Sequence, residues 1–416
     1  MERNYPIVKI NKKAEKLLKS GHQWVYGEET EGPFGPYENG DIVDVVTEKG
    51  SWMGAGFIND NSKIRVRLIS RNTNDRFDEA FWRRRVRYAI DYRKAVMGQD
   101  LRCSRIIFGE ADTFPGVTAD LFENVLVTEI LSLGMERIKP LLYRLLKEEL
   151  ARDSINVDVI YERNESALRV KEGMEQYMGY WTAGGVSAGG DIAADGATTS
   201  GHVTISENGI LYDVDYVNGQ KTGFFLDQKY NRQAAARIAP GKRVLDCFTH
   251  TGAFALNCAK AGAAHVTAVD ISADAIALTE RNAELNGLKD NMSFVKADVF
   301  DLLTDMAKSG KREYDYIILD PPAFTKSRAT VRNAYNGYKE INYKAMKLLP
   351  RGGYLTTCSC SHFMSADLFR QMLAEAAKDA GVSLRQIEER RQSPDHPILW
   401  GVPETEYLKF YIFQVV

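Results

Sequence analysis

The sequence predicts an α/β protein whose C-terminal half is a doubly wound, mostly parallel sheet, preceded by a β-rich domain and a small α+β domain. Three observations lead there. From Arg243 onward, short apolar runs alternate with amphipathic helical stretches, the pattern of successive βα units. Acidic residues stand at or just beyond four of those runs, at Asp246, Asp270, Asp298 and Asp320. Residues 1–72 instead carry brief alternating runs divided by Gly, Asn and Asp turn signals.

A length of 416 residues exceeds one small core and suggests two or three domains. The expected division is 1–73, 74–182, a linker at 183–202, and 203–416. Hydrophobic residues at 44% and charged residues at 26% are ordinary for a globular protein. A formal net charge of −2 gives no whole-chain sign of nucleic-acid binding, so any basic surface is local. The five cysteines Cys103, Cys247, Cys258, Cys358 and Cys360 are too sparse for a disulfide framework and fit reduced thiols. Lys9, Lys12, Lys13, Glu15 and Lys16 interrupt the N-terminus before any signal-peptide core could form. No apolar run approaches the ~18 residues of a membrane span. The expectation is a cytoplasmic protein with no membrane partner.

In the first domain, strands are expected at 42–46, 52–58 and 64–69. A helix follows at 77–97, where Phe81, Val86, Ile90 and Val96 approach helical spacing. This stretch is basic: between Asn61 and Arg105 thirteen Lys and Arg face five Asp and Glu. Such a run reads either as a solvated helix face or, if the rest of the chain acts on RNA, as a phosphate-binding surface. Residues 105–180 read as α+β, with strands at 125–131 and 157–162 and a helix at 136–150. The Gly/Ala/Ser/Thr-rich stretch 183–201 buries too little apolar surface to order itself and is expected to be a flexible linker. Beyond it, strands are expected at 244–247, 266–269, 293–296, 316–319 and 354–357. Helices are expected at 253–261, 273–286, 299–308, 331–349 and 366–380. Two late runs, 384–387 and 407–415, supply edge strands, the last antiparallel.

Ligands of such sheets bind beyond the carboxyl ends of the strands, which is where the four aspartates fall. Asp246 precedes a turn with Thr251 and Gly252, where a glycine lets a ligand approach a helix N-terminus. Asp270, at the second strand end, suits the two hydroxyls of a ribose. Asp298 suits an adenine amino group, and Asp320 opens Asp320-Pro321-Pro322-Ala323-Phe324, a loop held rigid by two prolines. Any one aspartate could be a helix N-cap, but four at corresponding strand ends are hard to explain that way. At the fifth strand end lies Thr357-Cys358-Ser359-Cys360-Ser361-His362. A thiol there is placed as a nucleophile for C6 of a pyrimidine, against the alternatives of a small buried hydrophobe or a Cys-x-Cys metal ligand without a second pair. No metal is expected.

Together these residues resemble the RlmI-type large-subunit ribosomal RNA cytosine-5 methyltransferases over nearly the whole chain. Gly21-His22-Gln23-Trp24-Val25-Tyr26 and Gly40-Asp41-Ile42-Val43-Asp44-Val45 are similar to that family's PUA domain, an RNA-binding module. Phe108-Gly109-Glu110-Ala111-Asp112, Phe114-Pro115-Gly116 and Tyr161-Glu162-Arg163-Asn164 resemble its central domain. The most specific match is Gly219-Gln220-Lys221-Thr222-Gly223-Phe224-Phe225-Leu226-Asp227-Gln228, continuing to Asn231-Arg232. The resemblance implies a Rossmann-like class I methyltransferase domain with a seven-stranded sheet and S-adenosylmethionine as cofactor. It implies Lys221, Phe224, Gln228 and Arg232 flanking the cofactor. Asp246, Phe248, Thr251 and Gly252 would lie at its methionine end, Asp270 on the ribose and Asp298 near adenine. It places Asp320, Pro321, Pro322 and Phe324 toward the target base and matches Cys360 to the nucleophile, with large-subunit ribosomal RNA as partner; a homodimer is compatible. The chain departs from the pattern at His250, where the family has tyrosine, in the extra thiol of Cys358, and in a longer 183–201 stretch. The 320–324 loop has no second cysteine, as in the RlmI type, so the group that removes the C5 proton is not identified. Competing readings are an enzyme acting on guanine N7 or an exocyclic amine without a thiol, and a non-catalytic RNA-binding protein.

Overall fold

The computed structural model describes residues 3–182, 185–187, 200–325 and 327–416. Two compact units divide the chain. The first comprises Met1–Val203, Val214–Leu226 and Pro394–Thr405, and the second comprises Thr204–Asp213, Asp227–Ser393 and Glu406–Val416.

The first unit opens with β1 (Ile7–Ile10), α1 (Lys12–Lys19), β2 (Trp24–Tyr26), β3 (Thr30–Phe34), β4 (Ile42–Thr47), β5 (Trp52–Ile58) and β6 (Ile64–Ser70). They form a six-stranded sheet in the order β2-β6-β5-β4-β1-β3. Helix α2 (Glu79–Met97) follows, N-capped by Asp78, which accepts an orphan amide of the first turn. A second six-stranded sheet, β12-β11-β10-β9-β8-β7, contains β7 (Cys103–Phe108), β8 (Val117–Phe122), β9 (Val125–Ile130), β10 (Val159–Asn164), β11 (Tyr177–Thr182) and β12 (Gly185–Ser187). Helices α3 (Leu133–Ala151) and α4 (Ala167–Lys171) interrupt it. Phe81, Trp82, Val86 and Ile90 of α2 join Leu142, Leu145, Leu146 and Leu150 of α3 in one buried cluster.

The 183–201 stretch lies largely outside the described residues. Within it, Gly185–Ser187 pairs antiparallel with β11. A hairpin of β13 (His202–Glu207) and β14 (Ile210–Asp215) follows, in addition to the elements expected from the sequence.

The second unit is built on α5 (Lys229–Ala236), β15 (Arg243–Cys247), α6 (Ala253–Lys260), β16 (His265–Asp270), α7 (Ala273–Leu285), β17 (Met292–Lys296) and α8 (Val299–Ser309). It continues through β18 (Tyr316–Leu319), α9 (Val331–Leu348), β19 (Tyr354–Ser359), α10 (Ala366–Ala380), β20 (Leu384–Arg390) and β21 (Lys409–Val415). The seven strands run β17-β16-β15-β18-β19-β21-β20. β21 runs antiparallel to the other strands and lies between β19 and β20. Of the two late runs only that at 384 therefore forms an edge strand, and 407–415 is internal rather than the expected edge.

Register is what brings the site together. Cys247 pairs with Val269 and Leu319, Val269 with Val295, and Leu319 with Thr357. These residues form one row across the sheet, and Asp270, Asp320 and Cys358 each stand one residue beyond it.

The basic stretch is mostly neutralised within the fold. Arg83 pairs with Glu79, Glu148 and Glu149, Arg84 with Asp75, and Arg87 with Asp91 and Asp153. Arg67 meets Glu110 and Glu172, Arg93 meets Asp112, and Arg105 meets Asp120. The counter-charges come from the stretch itself (Asp75, Glu79, Asp91), from α3 and the residues just after it, from the turn after β7, from β8 and from Glu172.

Candidate active site

Asp246, the penultimate residue of β15, is buried. Its Oδ2 accepts from the Thr249 hydroxyl at 2.6 Å and the Ala255 amide at 3.0 Å. Its Oδ1 is equally buried and has no hydrogen-bond partner. Burial raises its pKa from 3.8 to about 7, with Asp320 and Asp270 adding to the rise and Thr249 opposing it. A carboxylate held this way is short of a cation.

The chain then turns sharply, with positive φ at Phe248 (65°), His250 (52°) and Gly252 (81°). A Cβ on Gly252 would come within 2.6 Å of the Thr279 methyl, so the turn is seated directly against α7. Thr279 also donates to the His250 carbonyl at 2.9 Å, and Asn282 donates to that of buried Thr251 at 3.0 Å. Asp270 accepts the amides of His250 and Ser272, each at 3.0 Å. Its two oxygens are thereby oriented while keeping acceptor capacity.

Asp298 is the N-cap of α8 and accepts from Phe300 and Asp301. It is the one aspartate of the four with the ordinary capping role. Asp320 receives the side-chain amide of Gln228 at 3.0 Å. The Gln228 oxygen accepts from Asn231 at 2.7 Å, which fixes the amide orientation. Pro321 is buried and Pro322 exposed. The Phe324 ring lies between Phe300 and Tyr338, at centroid distances of 5.9 and 4.5 Å.

Arg232 is fully enclosed and pairs with Glu207 at 2.5 Å. Lys221 and Phe224 belong to the first unit, where the Lys221 ammonium sits 4.5 Å from the Phe225 ring centroid and Phe224 is buried. Asp246, Asp270, Asp320, Gln228 and the 248–252 turn are brought to one edge of the sheet.

Among the five cysteines only Cys360 is not buried. It follows the last residue of β19. Cys358, inside the strand, has its thiol pushed well up by burial and by the Asp320 carboxylate, with the Gln228 amide acting in the other direction. The sequence assigned no role to Asn231, although it lies in the motif stretch, nor to Tyr338, whose hydroxyl is 3.0 Å from that of Ser361, nor to Lys409, whose ammonium donates to the Ser361 carbonyl at 2.7 Å. A single lysine inside the apolar run Leu408-Lys409-Phe410-Tyr411-Ile412-Phe413 was the available signal. Among the described residues no cluster of His, Cys, Asp and Glu could hold a metal ion.

The residues present fit S-adenosylmethionine: the orphaned Asp246 oxygen suits its ammonium, the Gly252 turn admits close backbone approach, and Asp270 suits its ribose. Fold and site thus define the class, a Rossmann-like methyltransferase. The family model for S-adenosylmethionine-dependent methyltransferases matches residues 194–413, and that for PUA-like domains matches residues 8–71. Ribosomal RNA large subunit methyltransferase I from Aeromonas hydrophila is 39% identical over 95% of this chain and 96% of its own. The protein of that name from Klebsiella pneumoniae is 36% identical over 99% of both. A solved structure of a Streptococcus mutans protein shares the fold, superposing with a TM-score of 0.79 at 22% identity and covering 99% of this chain and 100% of that one. The chain belongs to the S-adenosylmethionine-dependent methyltransferase family, with ribosomal RNA large subunit methyltransferases I as full-length relatives.

Proposed function

We propose that this protein methylates C5 of a cytosine in large-subunit ribosomal RNA, with Cys360 as the covalent nucleophile. The observation that carries the reading is the placement of that thiol. It alone of the five is not buried, and it lies just past β19, two residues from Cys358, which sits against Gln228 and Asp320. The relatives' name, ribosomal RNA large subunit methyltransferase I, supports the substrate class.

The cofactor supplies an activated methyl group on a sulfonium. Asp246 would hold its ammonium, Asp270 its ribose hydroxyls and Asp298 the adenine side, where exposed Ile271 offers an apolar face. Lys221, Phe224, Gln228 and Arg232 are assigned to flank it. Phe248, Thr251 and Gly252 would form the turn at its methionine end. The Cys360 thiolate adds to C6 of the base, and the electron pair freed at C5 takes the methyl. Loss of the C5 proton then lets the thiolate leave. Asp320, Pro321, Pro322 and Phe324 would hold the base, which must first leave its stack. The PUA-like domain would grip RNA outside the reacting nucleotide.

No helix among the described residues is long and apolar enough to cross a membrane, and the reading takes the cytoplasm as the setting. Whether two copies associate is read by sedimentation velocity. The deciding experiment is Cys360→Ala assayed on ribosomal RNA with base-resolved mapping. The expected result is no 5-methylcytosine, with cofactor affinity within about threefold of the parent. Full activity in that variant, or an N-methylated base as product, overturns the reading.

A further inference from the structure

The nucleophile proposed above reacts as a thiolate, and a thiol near carboxylates is held protonated unless a cation opposes them. The titratable and charged groups around Cys360 come from several elements. Cys358 is on β19 and Tyr338 on α9. Asp320, just past β18, acts on Cys358, and Arg391, just past β20, acts on Lys409. Lys409 opens β21.

Lys409 pairs with Ser359 in the antiparallel register of β19 and β21. It is only 6% exposed. Its ammonium donates to the carbonyls of Ser361 and Tyr407, each at 2.7 Å. Both carbonyls are neutral, and among the described residues no carboxylate pairs with this lysine. A buried ammonium without a counter-ion is costly. Burial accordingly lowers its pKa to about 8, with Arg391 adding to the fall and Cys360 the charge that opposes it. The two carbonyls fix the cation beside the residue that follows Cys360 in the chain.

We propose that Lys409 is a positioning residue for methyl transfer: its ammonium, held between the Ser361 and Tyr407 carbonyls, stabilises the Cys360 thiolate, whose proton leaves to solvent before attack. This rests on Cys360 being the nucleophile.

The test is the rate of Cys360 alkylation by iodoacetamide against pH, read by peptide mass spectrometry on the full chain without RNA. Lys409→Gln keeps a hydrogen-bond donor and removes only the charge. Its alkylation midpoint should rise by about one pH unit, slowing reaction near neutrality about tenfold. Methyl-transfer kcat should fall with it while the KM for S-adenosylmethionine holds. A Lys409→Gln profile that superimposes on the parent's overturns the proposal. If that variant does not fold, Lys409→Arg decides. Its guanidinium stays charged throughout, so the midpoint should stay at or below the parent's, and a higher one overturns the proposal. The two readings fail separately. A fully active Cys360→Ala removes the nucleophile, whereas an unshifted profile with Cys360→Ala inactive removes only the role of Lys409.

Discussion

Gln228 donates its side-chain amide to Asp320 across 3.0 Å, and that contact ties α5 to the loop that follows β18. The donor is itself aimed by Asn231, which bonds the Gln228 oxygen at 2.7 Å and accepts from Arg390 at 3.1 Å. A carboxylate in place of the amide would face Asp320 directly, and two such groups cannot both ionise cheaply. Gln228→Glu should lower kcat/KM at least about a hundredfold, while Asn231→Ala, which only loosens the amide, should cost about tenfold. Steady-state methyl transfer beside calorimetric cofactor binding measures both.

Asp246 combines an unpartnered buried oxygen with a pKa raised to about 7. Because that value lies above the usual 3.8, the folded chain holds a proton that the unfolded chain has lost between the two. This contribution to stability is therefore complete at acid pH and disappears as pH rises through about 7. Asp246→Asn removes that loss. The variant should be more stable at neutral pH by on the order of 1–3 kcal/mol yet bind S-adenosylmethionine at least about a hundredfold more weakly. In the parent, cofactor affinity should rise with pH up to about 7, with proton release visible as calorimetric heats that depend on the buffer. A destabilised Asp246→Asn protein, or one that binds normally, would count against the assignment.

The two thiols at the end of β19 separate by burial. Cys358 is fully enclosed, so Cys358→Ala should behave as a small core truncation, costing about 1 kcal/mol in denaturant unfolding. Methyl transfer should persist. Loss of turnover in this variant with an active Cys360→Ala would exchange the two roles.

The alternation of strands and helices after Arg243 was legible because each strand is a short apolar run and each helix has its own periodicity. Since Cys247, Val269, Leu319 and Thr357 align in register, residues one step beyond each run had to share an edge. Less legible was what each side chain meets there. Asp298 and Asp270 look alike in sequence, yet one caps α8 and the other is held by amides of two different loops. Arg232 sits in a motif stretch, but its partner Glu207 comes from a hairpin with no strong signal. Strands β7 and β8 were less legible because side chains on both faces are largely buried, which removes clean alternation. Lys409 escaped because its carbonyl partners are backbone atoms, which carry no residue identity.

Gly252 stands at φ 81° with the Thr279 methyl 2.6 Å from where a Cβ would go. Alanine there meets both a disfavoured backbone and a neighbour anchored on α7. Gly252→Ala should lose about 1–3 kcal/mol of stability and most cofactor affinity. A Thr279→Ser partner, which removes the obstructing methyl, should restore part of each. Thermal shift with and without S-adenosylmethionine reads both quantities, and a double variant no better than the single would rule out the steric cause.

The arginines of α2 offer the sharpest separation between RNA binding and folding. Glu149 is fully buried on α3, accepting from Arg83 at 2.9 Å and Arg152 at 3.0 Å, with Arg87 at 3.8 Å. Removing a buried anion from such a cluster leaves its cations facing one another, so Glu149→Ala should cost on the order of 2–4 kcal/mol of stability. If α2 were a phosphate-binding face, Arg83→Ala would weaken RNA affinity and reduce the slope of log affinity against log salt by about one. With Arg83 held by Glu79, Glu148 and Glu149, that slope should instead stay unchanged while the melting temperature falls. A reduced slope at unchanged melting temperature would return α2 to the RNA-binding surface.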